Sequence, residues 1–340
     1  MTLSSRLVAA WYAPRLRALT LFLVPLSLLF ALATGVRRAL YRAGVLKTER
    51  VPVKVVVVGN ITVGGSGKTP LAAALCRALA ERGWRPGIVS RGHGREIRDE
   101  APLVVTPDAD VARAGDEPLL LARSGFPVAV APDRVAAART LIAAHPACNV
   151  IVADDGLQHY RLHRDVEIVV VDAARGLGNG WRLPAGPLRE AASRLNEVDA
   201  IVALVTAGAA APWIAPNAYV MTLVGDAFRR VDGSALTQPP SAFTGAGVHA
   251  IAGIGNPERF FAHLAALGIR ATCHPFPDHH RFVASDLALP DARVILMTEK
   301  DAVKCTTLAD ARCWYLPVRA HIDPALVERV LESLRGPEAA

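Results

Sequence analysis

After residue 50 the chain alternates short, continuous apolar runs with stretches of helical periodicity. The runs are rich in valine and isoleucine and lie at 53–60, 85–94, 126–134, 149–156, 166–172 and 199–205. Between the first two, Leu71, Leu75 and Leu79 recur with the spacing of one helix face, and Gly83 closes the segment. Continuous Val/Ile runs are typical of strands buried on both faces. The pattern therefore predicts an α/β fold, a parallel sheet with helices on both faces.

The pattern changes near residue 215. Residues 218–233 resemble an extended ribbon, and a shorter α/β alternation follows, with strands predicted at 249–255, 292–298 and 313–318 and helices at 257–268 and 323–335. We predict a larger domain over 41–215, a connecting ribbon over 216–248 and a smaller α/β domain over 249–335.

The N-terminal region contains an uncharged segment of 19 residues, from Ala18 to Val36, with arginines at both ends. A helix of this length is about 28 Å long, close to the hydrocarbon thickness of a bilayer. Pro25 is expected to kink it. We predict a membrane anchor helix over residues 1–40, with a signal peptide or a buried core helix as alternatives. Arginines at both ends leave open whether the helix crosses the bilayer or dips into one leaflet.

Composition and charge narrow the classes of function. The 340 residues are 52% hydrophobic, which excludes wholesale disorder. The net charge of +7 suits an anionic partner such as a nucleotide or an acidic lipid surface. The sequence has no RNA-binding aromatic motif and no zinc-finger spacing, so no nucleic-acid partner is predicted. The five cysteines form no C-x-x-C pair and indicate reduced thiols in the cytosol.

A glycine-rich segment, NITVGGSGKTP at 60–70, follows the first predicted strand and opens the first predicted helix. In that context the pattern G-x-x-x-x-G-K-[ST] binds nucleotide phosphates, although Thr62 stands in place of the first glycine. Backbone N–H groups would surround phosphate oxygens, Lys68 would reach the β and γ phosphates, and Thr69 would contact Mg²⁺. A glycine-rich turn without a ligand is the alternative. The predicted nucleotide-binding residues are Thr62, Val63, Gly64, Gly65, Ser66, Gly67, Lys68 and Thr69.

Two adjacent carboxylates, Asp154 and Asp155, end the predicted strand at 149–156. The nucleotide sites of open α/β sheets lie at the carboxyl ends of the strands. One of the two aspartates is therefore expected to hold Mg²⁺, directly or through water. Asp172, at the end of the next strand, is the rival ligand, and helix capping is the alternative for all three.

Seven blocks occur along the chain: VGNITVGGSGKTP, SRGHG, GDEP, DDGLQH, LPAGPLRE, FPDHH and TEKDAVK. In these blocks the chain resembles the tetraacyldisaccharide 4′-kinases, including the N-terminal membrane helix and Thr62; Leu157 departs from the family's more common aromatic residue. The resemblance implies phosphorylation, by ATP and Mg²⁺, of the 4′-hydroxyl of an acylated disaccharide 1-phosphate during lipid A synthesis. It also implies catalysis at the cytoplasmic face of the inner membrane, without an obligate protein partner.

The resemblance suggests roles for individual side chains. Asp116, followed by Glu117 in GDEP, is expected to accept the proton of the sugar hydroxyl, paired with His279 or His280 of FPDHH. Arg189 is expected to stabilise charge on the transferring phosphoryl group, with Glu190 holding it in place. The expected wall of the site includes His159, and Arg134 as a contact for substrate phosphate or nucleotide.

Each of these motifs also has a simpler explanation. GDEP has the composition of a solvated turn, and Arg189–Glu190 could be an exposed ion pair. FPDHH could be a surface loop, or a metal cluster with Cys273 and His274. TEKDAVK does not fit the guanine-reading pattern N-K-x-D, which favours ATP over GTP. A phosphate-loop ligase with an added anchor and a membrane-tethered nucleotide switch or metallochaperone are the rival functions.

Overall fold

A computed structural model describes residues 3–13, 15–92, 94–95, 101–206 and 211–335, with side chains from residue 6 onward. Its strands are β1 (Lys54–Gly59), β2 (Pro86–Ser90), β3 (Leu103–Val105), β4 (Val128–Val130), β5 (Val150–Asp154), β6 (Val166–Asp172), β7 (Ala200–Val205), β8 (Ala218–Val224), β9 (Phe228–Arg230), β10 (Thr237–Gln238), β11 (Val248–Ala252), β12 (Thr272–Pro275), β13 (Val294–Thr298), β14 (Cys313–Leu316) and β15 (Arg319–Ile322).

The helices precede, connect or follow these strands along the chain. They are α1 (Leu3–Trp11), α2 (Ala18–Phe22), α3 (Val24–Arg42), α4 (Lys68–Glu81), α5 (Val111–Ala114), α6 (Asp116–Arg123), α7 (Arg134–Ala144), α8 (Pro257–Ala266), α9 (Ala284–Leu287), α10 (Glu299–Cys305) and α11 (Pro324–Arg335), with short 3-10 helices at Ala192–Glu197 and Pro240–Ala242.

The larger sheet has the strand order β15-β8-β7-β6-β1-β5-β2-β4-β3, and the seven strands from β8 to β4 are mutually parallel. Successive residues of a strand face opposite sides, so Val56 and Val58 of β1 enter one core while Val55 and Val57 enter the other. Helices α4, α6 and α11 cover the first face, and α7 covers the second. The predicted parallel sheet with helices on both faces is confirmed.

The smaller sheet has the order β10-β9-β14-β13-β11-β12, and the four strands from β14 to β12 are parallel. Helix α8 packs on one face through Phe260, Phe261 and Leu264, while α9 and α10 pack on the other. The second α/β unit is therefore a layered domain with two cores of its own.

The chain crosses between the two sheets more often than the predicted boundaries allow. Within the predicted ribbon over 216–248, β8 belongs to the larger sheet, whereas β9 and β10 belong to the smaller one. The last two elements of the predicted smaller domain belong to the larger one: β15 pairs antiparallel with β8, and α11 packs on the core of the larger sheet. Two passages, after β8 and after β14, therefore join the domains.

The predicted single N-terminal helix is interrupted. Helix α2 ends at Phe22, Leu23 lies between, and α3 begins at Val24 with Pro25 in its first turn. Proline has no N–H to donate, so the first turn is where a helix accepts it. Within the described part of the chain, α3 is the one helix long and apolar enough to cross a membrane.

Candidate active site

The glycine-rich loop connects the central strand β1 to helix α4. Gly64 and Gly67 have φ angles of 104° and 89°, in the left-handed region that favours glycine. Thr62 instead forms an antiparallel bridge with Leu188, and Val63 N donates to Pro187 O at 2.9 Å. Position 62 is thus paired, extended backbone that does not need a glycine. The positive φ angles of the loop occur at Gly64 and Gly67, where the sequence keeps glycine.

Two contacts hold the loop from outside. The Asn60 side chain donates to Ser66 Oγ at 3.0 Å and is fully buried. Arg259 of the smaller domain donates to Gly65 O at 2.8 Å and lies 3.3 Å from Asp172 Oδ2. The Gly65 carbonyl thus points toward Arg259. Asp172 also accepts from Asn256 Nδ2 at 2.9 Å, so this rival magnesium ligand is occupied by contacts between the two domains.

The two aspartates after β5 have different partners. Thr69 Oγ1 donates to Asp154 Oδ2 at 3.0 Å, and Asp154 is completely buried. Asp155 lies 3.6 Å from Lys68 Nζ and 3.2 Å from Arg189 Nη1. Burial, followed by the negative charge of Glu117, raises the pKa of Asp154 to about 7. Burial acts in the same direction on Asp155, but Lys68, Arg189 and Arg134 outweigh it and lower its pKa to about 2.

Arg189 and Glu190 do not pair with each other as expected. Arg189 reaches Asp155, whereas Glu190 is buried and accepts from Gln158 Nε2 and Tyr160 Oη, each at 2.7 Å. Gln158 also donates to Asn60 O at 3.0 Å. Glu190 is therefore held by other neighbours, and Asp155 orients Arg189.

Arg134 and His159 lie beside these aspartates. The Arg134 guanidinium donates to Asp155 O at 3.2 Å, and burial lowers the pKa of Arg134 to about 10. His159 Nε2 lies 3.3 Å from Arg134 N and 3.6 Å from Asp133 Oδ1. Burial and the Arg134 charge lower the pKa of His159 to about 4, so its imidazole is neutral at physiological pH.

A carboxylate–imidazole pair joins the two domains. Asp116 Oδ2, at the start of α6, lies 3.0 Å from His279 Nδ1, while His280 Nε2 lies 2.9 Å from Asp286. The structure thus brings His279, and not His280, to Asp116. Burial would raise the pKa of Asp116, but the His279 hydrogen bond and Lys300 lower it below its ordinary value. Burial would lower the pKa of His279, but the bond to Asp116 raises it above its ordinary value.

A cavity of about 450 Å³ extends from the glycine-rich loop between the domains. Its walls include Lys68 and Thr69 on one side and Glu117 and Lys300 on another. Further lining residues come from α4, α6, α8, β8, β9 and the segment that joins β14 to β15. Asp154, Asp155 and Asp116 do not line the cleft, but they contact its lining residues Thr69, Lys68 and Lys300, respectively.

Comparison with known proteins places this geometry in a family. The model of the tetraacyldisaccharide-1-P 4′-kinase (LpxK) family matches residues 19–335. The tetraacyldisaccharide 4′-kinase of Azoarcus sp. (strain BH72) is 55% identical, covering 96% of this chain and 94% of that protein. The enzyme of the same name from Aromatoleum aromaticum is 52% identical over 92% of this chain and 93% of its own length. This chain belongs to the tetraacyldisaccharide 4′-kinase family.

The fold agrees with a solved member of the family. The crystal structure of the "apo" form of LpxK from Aquifex aeolicus in complex with ATP superposes with a TM-score of 0.74 at 28% identity. The superposition covers 93% of this chain and 99% of that one. The two-sheet architecture is therefore common to this chain and an ATP-bound family member.

The residues of this kinase-family chain fit a magnesium ion near Thr69. Asp154 Oδ1 is buried and has no hydrogen-bond partner within the described chain, although Oδ2 meets the Thr69 hydroxyl. An unpaired buried carboxylate oxygen is costly, and a hard cation with oxygen ligands would satisfy it. Asp155, with its two cationic partners, has less need of a metal.

Sequence reasoning missed four side chains that the kinase fold brings to the site. Asn60, Gln158 and Lys300 each lie inside a block that carries the family resemblance, so their positions could have been considered. Arg259 lies in none of the blocks and reaches the loop only through the packing of the second domain.

Proposed function

We propose that this chain transfers the γ-phosphoryl group of ATP to the 4′-hydroxyl of tetraacyldisaccharide 1-phosphate, a step in lipid A synthesis. Family membership supports the reaction, and the arrangement of a phosphate loop, paired acids and the Asp116–His279 pair around one cleft, in contact with its lining residues Thr69 and Lys300, supports the chemistry. That arrangement is the observation that carries the proposal. The backbone N–H groups of the loop, the dipole of α4 and Lys68 would bind the phosphates.

Asp116 is the proposed proton acceptor. The substrate hydroxyl oxygen attacks the γ-phosphorus, its proton passes to Asp116 Oδ, and the bond between the γ-phosphorus and the bridging oxygen breaks to release ADP. Its lowered pKa keeps Asp116 ionised at neutral pH, and His279 holds the carboxylate in place. Arg189 would stabilise charge on the equatorial oxygens; its Nη1 lies 3.2 Å from Asp155 Oδ1, and the same carboxylate oxygen lies 3.6 Å from Lys68 Nζ.

Magnesium would be held by Asp154 and the Thr69 hydroxyl, with Asp155 beside them. Bound there, the ion would neutralise charge on the β and γ phosphates. The chain's own contribution is to fix both oxygen ligands on rigid elements, the end of β5 and the first turn of α4.

We infer that the N-terminal helices attach the enzyme to a membrane, with α3 lying parallel to the membrane surface. One face of α3 packs on the larger domain: Ser27 Oγ donates to Arg182 O at 2.7 Å, and Arg182 donates back to Ala31 O at 2.9 Å. The opposite face exposes Leu29, Leu32 and Val36, whose exposed fractions are 62%, 64% and 49%. A helix packed lengthwise on a polar domain cannot span the bilayer without burying that domain, so the apolar face would lie in one leaflet.

The experiment is phosphoryl transfer from radiolabelled ATP to purified acylated disaccharide 1-phosphate in mixed micelles. Label in the lipid is expected with the wild-type chain, and Asp116→Asn is expected to lose about 10²- to 10⁴-fold in kcat. ATP hydrolysis without label in the lipid would contradict the proposal and favour a nucleotide switch. Wild-type turnover in Asp116→Asn would leave the proposed reaction standing but show that Asp116 is not its base.

A further inference from the structure

The block TEKDAVK, at 298–304, contains side chains that the reaction described above does not use. Thr298 ends β13, and its hydroxyl caps α10 by accepting from Asp301 N at 3.1 Å. The fully buried Asp301 carboxylate accepts in turn from Gly253 N at 3.1 Å and from the Thr298 hydroxyl at 2.6 Å. The turn is therefore rigid, and Lys300 in the first turn of α10 projects from it into the cleft.

The Lys300 ammonium reaches four groups at the domain junction. Its Nζ lies 3.0 Å from Glu117 Oε1, 3.4 Å from Asp278 Oδ1, 3.4 Å from His279 Nε2 and 3.8 Å from Asp116 Oδ2. The side chain is only 15% exposed. Lys300 thus contacts both members of the Asp116–His279 pair from the smaller domain.

These contacts determine which nitrogen of the His279 imidazole carries its proton and favour the ionised form of Asp116. An ammonium group has three donors and no acceptor, so it approaches His279 Nε2 favourably only when that nitrogen carries a lone pair. In the neutral imidazole the proton then lies on Nδ1, where it is donated to Asp116 Oδ2. The same positive charge favours the ionised form of Asp116.

We propose that Lys300 is a positioning residue of the kinase reaction, fixing the His279 tautomer and keeping Asp116 a carboxylate ready to accept the substrate proton. The inference rests on the proposed function, in which Asp116 is the base.

Within the part of the chain that the structure describes, other charged groups face the pair from three elements. Helix α6 contributes Glu117, the segment between β12 and α9 contributes Asp278, and α10 contributes Lys300 and the more distant Lys304. Gly94 also approaches Asp116: a Cβ at this glycine would lie 3.2 Å from Asp116 Oδ1. Lys300 is the nearer of the two lysines, so its removal takes away the larger share of their positive charge beside Asp116 and leaves the more distant Lys304.

The test compares pH–rate profiles of Lys300→Met, Lys300→Arg and the wild type, with Arg270→Gln as the control. Arg270 is exposed in the same domain, so its loss changes net charge equally without touching the cleft. Lys300→Met is expected to lower kcat about tenfold or more near neutral pH. The loss should grow as pH falls, because Asp116 then protonates more readily. Lys300→Arg should restore most of the turnover.

Three results would overturn the inference. They are a wild-type profile in Lys300→Met, a loss of the same size at every pH, and a rise in KM for ATP with kcat unchanged. If Lys300→Met fails to fold by circular dichroism, Lys300→Gln replaces it, because glutamine keeps a donor for Nε2 but no charge. Lys300→Gln should then retain the tautomer and still show the acid-dependent loss.

A second readout does not depend on catalysis. Nitrogen NMR of histidine-labelled full-length protein, at a pH where His279 is neutral, should show the proton on Nδ1 in the wild type. Lys300→Met should show a mixture of tautomers, because Asp278 Oδ1, 3.8 Å from Nε2, then competes with Asp116 as the acceptor of the imidazole proton. A wild-type tautomer in Lys300→Met would contradict the proposal. Absence of lipid phosphorylation by the wild type would instead refute the proposed function and leave the tautomer measurement standing.

Discussion

Arg259 offers a quantitative test of how the smaller domain supports nucleotide binding. Its guanidinium donates to Gly65 O at 2.8 Å and lies 3.3 Å from Asp172 Oδ2, with a side chain only 14% exposed. The Gly65 carbonyl faces Arg259, and this contact holds the peptide plane between Gly65 and Ser66, including the Ser66 N–H, in one orientation. Arg259→Met keeps much of the apolar stem and removes both polar contacts.

The size of the effect follows from those contacts. A hydrogen bond to a charged group contributes about 1.5–3 kcal/mol. Asp172 keeps Asn256 Nδ2 at 2.9 Å and Ala174 N at 3.1 Å, so it is not left without partners. We therefore expect a loss near the lower part of the range, about 2 kcal/mol. Applied to ATP binding, a loss of about 2 kcal/mol raises the KM for ATP about 30-fold.

Initial rates with varied ATP at saturating lipid measure this effect. We expect KM for ATP to rise while kcat changes much less, because Arg259 acts on the loop and not on the reacting atoms. Glu258→Gln, an exposed neighbour on the same helix, is the control and should behave as the wild type. An unchanged KM for ATP in Arg259→Met, or a lower kcat alone, would refute this reasoning.

Three further predictions concern metal, pH and membrane. Asp154→Asn should raise the magnesium concentration needed for half-maximal rate by about tenfold or more, measured by magnesium titration. His279→Asn, chosen because asparagine tolerates the left-handed backbone at 279, should lower the denaturation midpoint most at mildly acidic pH, where its bond to Asp116 is strongest. Leu29→Gln with Leu32→Gln should shift the protein from anionic vesicles to the supernatant on flotation.

The pH window follows from the directions of the two pKa shifts. The raised pKa of His279 stabilises the fold fully below its ordinary value of 6.5, and this share is lost as pH rises through the folded-state pKa. The lowered pKa of Asp116 adds stability above 3.8, and this share is lost as pH falls through the folded-state pKa. A midpoint difference that grows steadily toward alkaline pH would contradict the pairing.

The other two predictions have equally direct counter-results. An unchanged magnesium requirement in Asp154→Asn would assign the metal to other ligands. Vesicle binding that survives the two leucine substitutions would show that another surface attaches the protein. Val224→Gln, an exposed apolar position on the larger sheet, serves as the matched control for the membrane experiment.

The sheet and the phosphate loop were predictable because their signals are local. Continuous Val/Ile runs indicate doubly covered strands, and the strand–loop–helix context of Lys68 is contained in about twenty consecutive residues. The domain limits were not predictable from the sequence, because β15 is a short strand whose partner, β8, lies far away in sequence. Pairing with the larger sheet, and not local pattern, decides where that strand belongs.

The candidate site divides in the same way. Asp154 and Asp155 could be placed from the end of a strand, but their different partners depend on which cations the fold brings near. The expected Arg189–Glu190 contact failed because Glu190 finds buried donors in Gln158 and Tyr160. Adjacent residues on an irregular segment give no indication of which neighbours each will meet.

The most direct test of the account is to identify the product by phosphorus and proton NMR after incubating wild-type protein with ATP, magnesium and tetraacyldisaccharide 1-phosphate. We predict one new phosphate monoester, on the 4′-oxygen, formed in equal amount to ADP, and no product with Lys68→Ala. A phosphate at any other position, or ADP formed without a lipid product, would contradict it.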